Sequence, residues 1–81
     1  MEIRIVDEYR TKDLGEAGAL IVKGKQLLKI ERLGKVCWFI FQDRESCQVI
    51  SKQFFFGDLQ VNALNYFEAL GRLKNRIFMT I

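Results

Sequence analysis

Four carboxylates lie close together in the first part of the chain, namely Asp7, Glu8, Asp13 and Glu16. Clustered carboxylates can hold a metal ion or act as an acid–base pair. Asp13, however, falls in the first turn of a predicted helix, where a negative charge favours the helix dipole. Helix capping and solvation therefore account for the cluster, and we predict neither metal binding nor acid–base catalysis from it.

The other residue types argue against an enzyme. The sequence has no histidine, the commonest general base and transition-metal ligand. Two cysteines are too few for a structural zinc site or a disulfide framework. Cys37 lies in an apolar strand run and Cys47 on a helical face, so both are predicted to be small buried side chains. We expect no catalytic residue, no cofactor, no metal and no small-molecule substrate.

One predicted strand, residues 35–42, is apolar on both of its faces. Its aromatic residues distantly resemble those that stack bases in an RNA-recognition-motif sheet. The glycine of that motif is missing, so Phe39 and Phe41 are predicted to lie in the core. Trp38 points the other way and is the better contact residue. The side chains of that second face are predicted to form an interface: Val36, Trp38 and Ile40.

Basic side chains form two groups, one around the end of the first helix and the hairpin, the other on the last helix. The chain has 13 basic and 10 acidic residues, a net charge of +3. This mild excess permits nucleic-acid binding without requiring it. The residues predicted to bind nucleic acid are Lys23, Lys25, Lys29, Arg32, Lys35, Arg72 and Arg76.

The first half of the chain predicts a strand, a helix and a hairpin. Ile3 and Ile5 alternate with polar residues, as in a half-exposed strand. A helix then begins at the N-cap Thr11 and ends at Gly24. Its interior glycines, at positions 15 and 18, predict close approach to another element, with a sheet as the expected partner. The hairpin joins residues 26–32 to residues 35–42 through a turn at Leu33 and Gly34, for which we expect a type I turn with a G1 bulge.

The second half predicts two helices. Asp43 caps the first, whose inner face holds Cys47, Ile50, Ser51 and Phe54 and which Gly57 ends. Asn62 caps the second. Its predicted inner stripe contains Ala63, Tyr66, Phe67, Leu70, Leu73, Lys74 and Ile77. The apolar tail, residues 77–81, either continues this helix or adds an edge strand.

These elements predict one α+β domain over residues 1–81, in the order β-α-β-β-α-α with a central antiparallel hairpin. If the tail forms a strand, the order becomes the ferredoxin-like β-α-β-β-α-β. The N-terminus has no hydrophobic stretch of a signal peptide, and the longest apolar run is too short to span a bilayer. We therefore expect a cytoplasmic protein, of a cell or an infected host, that does not bind membranes.

Six runs of the sequence carry a resemblance to known proteins: residues 10–14, 23–24, 27–32, 35–41, 61–63 and 73–74. Together they resemble a family of short domains of unknown function from bacteria, archaea and their phages and mobile elements. The resemblance implies a fold order and a phage or mobile-element setting, and it supplies no catalytic residues.

Two functions stay open at this point. The first is a nucleic-acid-associated accessory or regulatory domain that binds DNA or RNA through the basic residues. The second is a protein-interaction module, either a homodimer or a modulator of a host protein, for which the two-sided strand and the apolar tail supply the surface.

Overall fold

A computed structural model describes residues 7–80 of the chain, with side chains to residue 79. The elements follow the predicted order β-α-β-β-α-α, which confirms the α+β class. The tail continues the last helix, so the ferredoxin-like alternative is wrong. The elements are β1 (Glu8–Thr11), α1 (Leu14–Val22), β2 (Leu27–Leu33), β3 (Val36–Gln42), α2 (Arg44–Phe55) and α3 (Ala63–Thr80).

The three strands form one antiparallel sheet in the order β1-β3-β2. The apolar strand β3 is therefore central, with Phe41 paired to Tyr9 on β1 and Phe39 paired to Ile30 on β2. On the edge strand β2, the register shift that a β-bulge produces leaves Leu28 as the extra residue.

The hairpin turn lies one residue further along the chain than predicted. Leu33 pairs with Val36, so the connecting residues are Gly34 and Lys35. Gly34 has a φ of 65° and Lys35 has no positive φ, and a positive φ at the first connecting residue alone is typical of a type II′ turn. The expected G1 bulge is therefore wrong, because the glycine itself opens the turn.

Two predictions concern the start of the chain, namely a first strand and the N-cap of α1. The strand predicted around Ile3 and Ile5 lies outside the part of the chain that the structure describes. Thr11 ends β1 instead of capping α1. The N-cap is Asp13, whose Oδ1 accepts the Glu16 N–H at 2.9 Å. The prediction of Thr11 as N-cap is wrong because Thr11 lies in β1, two residues before the cap. Its buried hydroxyl donates to the Glu16 carboxylate and accepts the Asp13 N–H at 3.1 Å.

Helix α1 runs between α2 and α3, and it contacts both. A Cβ on Gly18 would lie 2.8 Å from Cδ2 of Leu70 on α3, and one on Gly15 would lie 3.2 Å from the Phe54 ring of α2. Only a glycine lets the neighbouring side chains approach the α1 backbone this closely. The predicted close approach is confirmed, but its partners are helices rather than the sheet.

Helix α2 begins and ends as predicted. The Oδ1 of Asp43 accepts the Ser46 N–H at 3.3 Å, and Phe56 with Gly57 follows the last turn. The hydrogen bonds from Ser46 lower the pKa of Asp43, because they favour the charged carboxylate. Cys47, on the inner side of this helix, is fully buried, and Ile50 packs against the core.

Helix α3 is capped by Asn62, whose Oδ1 accepts the Asn65 N–H at 3.0 Å. Its inner stripe differs from the prediction. Ala69 is buried although it was not predicted, whereas Phe67 is 74% exposed. Three members of the predicted stripe therefore lie outside the core: Ala63, Phe67 and Lys74.

The core lies between the sheet and the three helices. Phe39 and Phe41 of β3 are buried there, as predicted, against Leu20 of α1, Cys47 of α2 and Leu73 of α3. Large rings make so small a core sufficient, because each buries a large apolar area.

Candidate interaction surfaces

Basic residues from the two predicted groups meet at one groove between α1, β2 and α3. Lys25 follows α1, while Arg72 and Arg76 lie one turn apart on α3. The groove has a volume of about 240 Å³. Apolar side chains form its floor: Ile21, Leu27, Ala69 and Leu73. We call this the basic groove.

The other predicted nucleic-acid-binding residues do not join the basic groove. The Lys29 ammonium lies 3.0 Å from Glu31, and the Arg32 Nε donates to the Gly34 carbonyl at 3.0 Å. Lys23 and Lys35 are exposed. Within the groove, Lys25 lies 3.6 Å from a carboxylate oxygen of Asp43. The predicted hairpin group is therefore dispersed, and part of its charge is neutralised.

The outer sheet face is the face of β3 turned away from the helices, where the sequence predicted an interface. Ile40 is fully buried there, Trp38 is half-buried and Val36 is 39% exposed. Ile40, one of the three predicted interface residues, is thus inaccessible to a partner.

An ion pair crosses this face above the central strand. Arg10 lies on β1 opposite Ile40 of β3, and Glu31 lies on β2 opposite Trp38 of β3. Their charged groups nevertheless meet at 2.8 Å, so the arginine stem passes over β3. The hydrogen bonds from Lys29 and Arg10 lower the pKa of Glu31, because both favour its charged form.

A different surface is both apolar and exposed. On α3, residues 64, 67, 71, 74 and 78 recur at alternating spacings of three and four and so share one side of the helix. Leu64 is 64% exposed, Phe67 74% and Phe78 75%. A Cβ on Gly71 would meet no atom within 4 Å. We call this the α3 outer face: Leu64, Phe67, Gly71, Lys74 and Phe78.

Sequence reasoning missed this face because it assigned the apolar residues of α3 to a single stripe. The helix carries two stripes. The inner one contains Tyr66, Ala69, Leu70, Leu73 and Ile77, and the outer one has heptad spacing. The signal in the sequence was the apolar residues Leu64 and Phe78, which share one side of the helix with Phe67 and which the predicted stripe left out.

A buried polar cluster corrects the prediction that Glu16 is solvated. Glu16 is only 3% exposed, and its carboxylate accepts hydrogen bonds from the hydroxyls of Thr11, at 2.8 Å, and Tyr9, at 2.9 Å. The Ser51 hydroxyl lies 3.1 Å from the Tyr9 Oη and donates to it, because the single Tyr9 proton is donated to Glu16. Burial raises the pKa of Tyr9. The cluster joins β1 to α1 and α2, and each of its polar groups has a hydrogen-bond partner within the cluster.

Cys47 is buried as predicted, whereas Cys37 is only half-buried. Burial raises the pKa of Cys47 to about 11, so this thiol is a poor nucleophile at neutral pH. Among residues 7–79, no group of three or more acidic, cysteine or histidine side chains could hold a metal ion. No helix in the described part of the chain is long and apolar enough to cross a membrane.

Comparisons of the chain with family models, curated proteins and solved structures find no match. The resemblance to a family of phage and mobile-element domains therefore stays a prediction.

Proposed function

We propose that this chain is a non-enzymatic protein-interaction domain that self-associates. The observation that carries the proposal is the exposure of large apolar side chains on the outside of the helical layer. On the α3 outer face, Leu64 is 64% exposed, Phe67 74% and Phe78 75%. Isolated exposed apolar residues are common, but a contiguous set on one helix is typical of an interaction surface.

The chemistry of these exposed residues favours a protein partner. Aromatic side chains and methionine are enriched at the centres of protein interfaces, where each buries a large area. The α3 outer face contains only one charged residue, Lys74, so it lacks the positive charge that would attract a phosphate backbone.

The test is a measurement of molar mass by light scattering over a dilution series. We expect a dimer at high micromolar concentration that dissociates on dilution. Replacing Phe78 by Ser is expected to shift the mass towards the monomer. The matched control is Val49→Ser, which changes a residue of α2 that is 54% exposed. A monomer at every concentration would contradict self-association.

A second function, nucleic-acid binding, is favoured by the basic groove. Three of the seven predicted residues, Lys25, Arg72 and Arg76, converge there. Closely spaced cations can neutralise adjacent phosphates of DNA or RNA, with a binding constant that falls as salt rises. Since only three cations converge, the expected footprint is small.

Fluorescence anisotropy with labelled single- and double-stranded DNA and RNA, at low and moderate salt, tests this second function. The double variant Lys25→Ala/Arg72→Ala is expected to weaken binding to all sequences alike. The control Lys29→Ala/Lys35→Ala removes the same charge outside the groove and is expected to bind like the wild type. Absence of binding at low salt, or equal loss in both variants, would exclude the groove.

A further inference from the structure

We infer that the partner on the α3 outer face is a second copy of this chain, which packs antiparallel across a two-fold axis near Gly71. This inference rests on the proposed self-association and adds its site and direction. The face has a centre, because Leu64 and Phe78 lie seven residues to either side of Gly71. A two-fold axis there places Leu64 of one copy against Phe78 of the other.

Gly71 is the feature that the single chain does not explain. A glycine inside a helix costs about 1 kcal/mol relative to alanine. At Gly18 the fold itself requires a glycine, because a Cβ there would lie 2.8 Å from Leu70. At Gly71 a Cβ would meet nothing within 4 Å. A second helix crossing at Gly71 would use the missing side chain for close backbone contact.

Charge decides the direction of the two helices. In a parallel pair, Lys74 would face Lys74 of the second copy within an apolar seam, and like charges there repel. In an antiparallel pair centred on Gly71 the two ammonium groups are about 9 Å apart along the helix axis. Each then lies against Phe67 of the other copy, where an aromatic ring attracts a cation.

The available area is sufficient for a weak or moderate dimer. The exposed parts of Leu64, Phe67 and Phe78 amount to roughly 400 Å² per copy on the usual areas of such side chains, and Met79 on the flank of the face raises this to roughly 500 Å². A standard stable interface buries about 800 Å² per partner. The exposed flanking side chains of Glu68 and Asn75 can supply part of the difference.

The first experiment tests the site with Gly71→Leu. The substitution fills open space in the single chain, so thermal unfolding should show no loss of stability. At the axis it separates the two backbones, and we expect the dissociation constant to rise about tenfold or more. Val49→Ser, on α2, is the control that should dimerise like the wild type. A Gly71→Leu protein that dimerises with unchanged affinity would overturn the inference while leaving self-association intact.

The second experiment tests the direction by disulfide formation in a Cys37→Ser background, where the remaining native thiol, Cys47, is buried. The double variant Leu64→Cys/Phe78→Cys should form a covalent dimer on mild oxidation at high protein concentration, because a disulfide traps the pairing even though the loss of Phe78 weakens it. Leu64→Cys alone should not, because its two copies are about 21 Å apart along the axis. Covalent dimers from Leu64→Cys alone would show parallel helices and overturn the inference. A wild type that stays monomeric would instead contradict the proposed function itself.

Discussion

The outer sheet face and the α3 outer face both carry apolar residues on the side opposite the core, yet they differ in what covers them. On the sheet, Ile40 is fully buried, and the Arg10–Glu31 ion pair crosses the strand beside it. On α3, Phe67 is 74% exposed. Apolar residues on an element therefore do not by themselves mark a working surface. The exposed fraction of each side chain in the folded chain separates the two faces.

The largest expected effect separates the core from the α3 outer face. Phe39→Ala removes a fully buried ring and should lower the free energy of unfolding by about 3–5 kcal/mol. Phe67→Ala changes an exposed ring and should alter the stability of the monomer by no more than about 0.5 kcal/mol. Urea denaturation at low protein concentration measures both. Equal losses would show that Phe67 is packed within the single chain.

The next prediction compares two glycines in helices. Gly18→Leu inserts a side chain where a Cβ alone would meet Leu70 at 2.8 Å, so overpacking should destabilise the protein by about 1–3 kcal/mol or more. Gly71→Leu meets open space, and higher helix propensity should stabilise the monomer by up to about 1 kcal/mol. Thermal unfolding of dilute samples shows whether each substitution raises or lowers the stability of the monomer. A destabilised Gly71→Leu monomer would contradict the account.

A smaller effect concerns the charges on the outer sheet face. The pKa of Glu31 is lowered in the folded protein, so its contribution to stability is present above the ordinary glutamate value and is lost as the pH falls through the folded value. Glu31→Gln should therefore reduce the acid sensitivity of unfolding. Urea midpoints at about pH 7 and about pH 3 test this. An unchanged difference between the two midpoints would show that the ion pair contributes nothing measurable.

The last prediction concerns the difference in reactivity between the two thiols, which leaves the fold unchanged. Cys37 is half-buried, while the pKa of the buried Cys47 is raised to about 11. At mildly alkaline pH we expect a thiol reagent to modify Cys37 first and Cys47 only after unfolding. Mass spectrometry of the partially labelled protein identifies the site. Rapid labelling of Cys47 in the folded protein would contradict its assignment to the core.

The sequence predicted well those features that depend on local chemistry. Asp43 and Asn62 cap helices, and Phe39 with Phe41 faces the core, because capping and strand alternation act over a few residues. The predicted cap, Thr11, is wrong because Thr11 and Asp13 both have capping side chains and lie two residues apart. Asp13 accepts the Glu16 N–H of the helix, whereas Thr11 accepts the N–H of Asp13 before the helix begins.

The candidate sites depend on contacts between distant parts of the chain, and the sequence predicted them less well. Arg72 and Lys25 were assigned to separate groups, and only the packing of α3 beside α1 brings them to one groove. Likewise, Ile40 is fully buried on a face that the strand pattern alone predicted to be accessible, and the ion pair across that face joins residues of two other strands, Arg10 and Glu31. Periodicity along one strand or helix cannot show such coverage.

Sedimentation equilibrium of two variants beside the wild type shows which of the two faces mediates self-association. Phe67→Ser alters the α3 outer face, and Val36→Ser alters an exposed position on the outer sheet face. We predict that the wild type and Val36→Ser sediment as dimers and that Phe67→Ser sediments as a monomer. A monomeric Val36→Ser together with a dimeric Phe67→Ser would contradict the account and place self-association on the sheet.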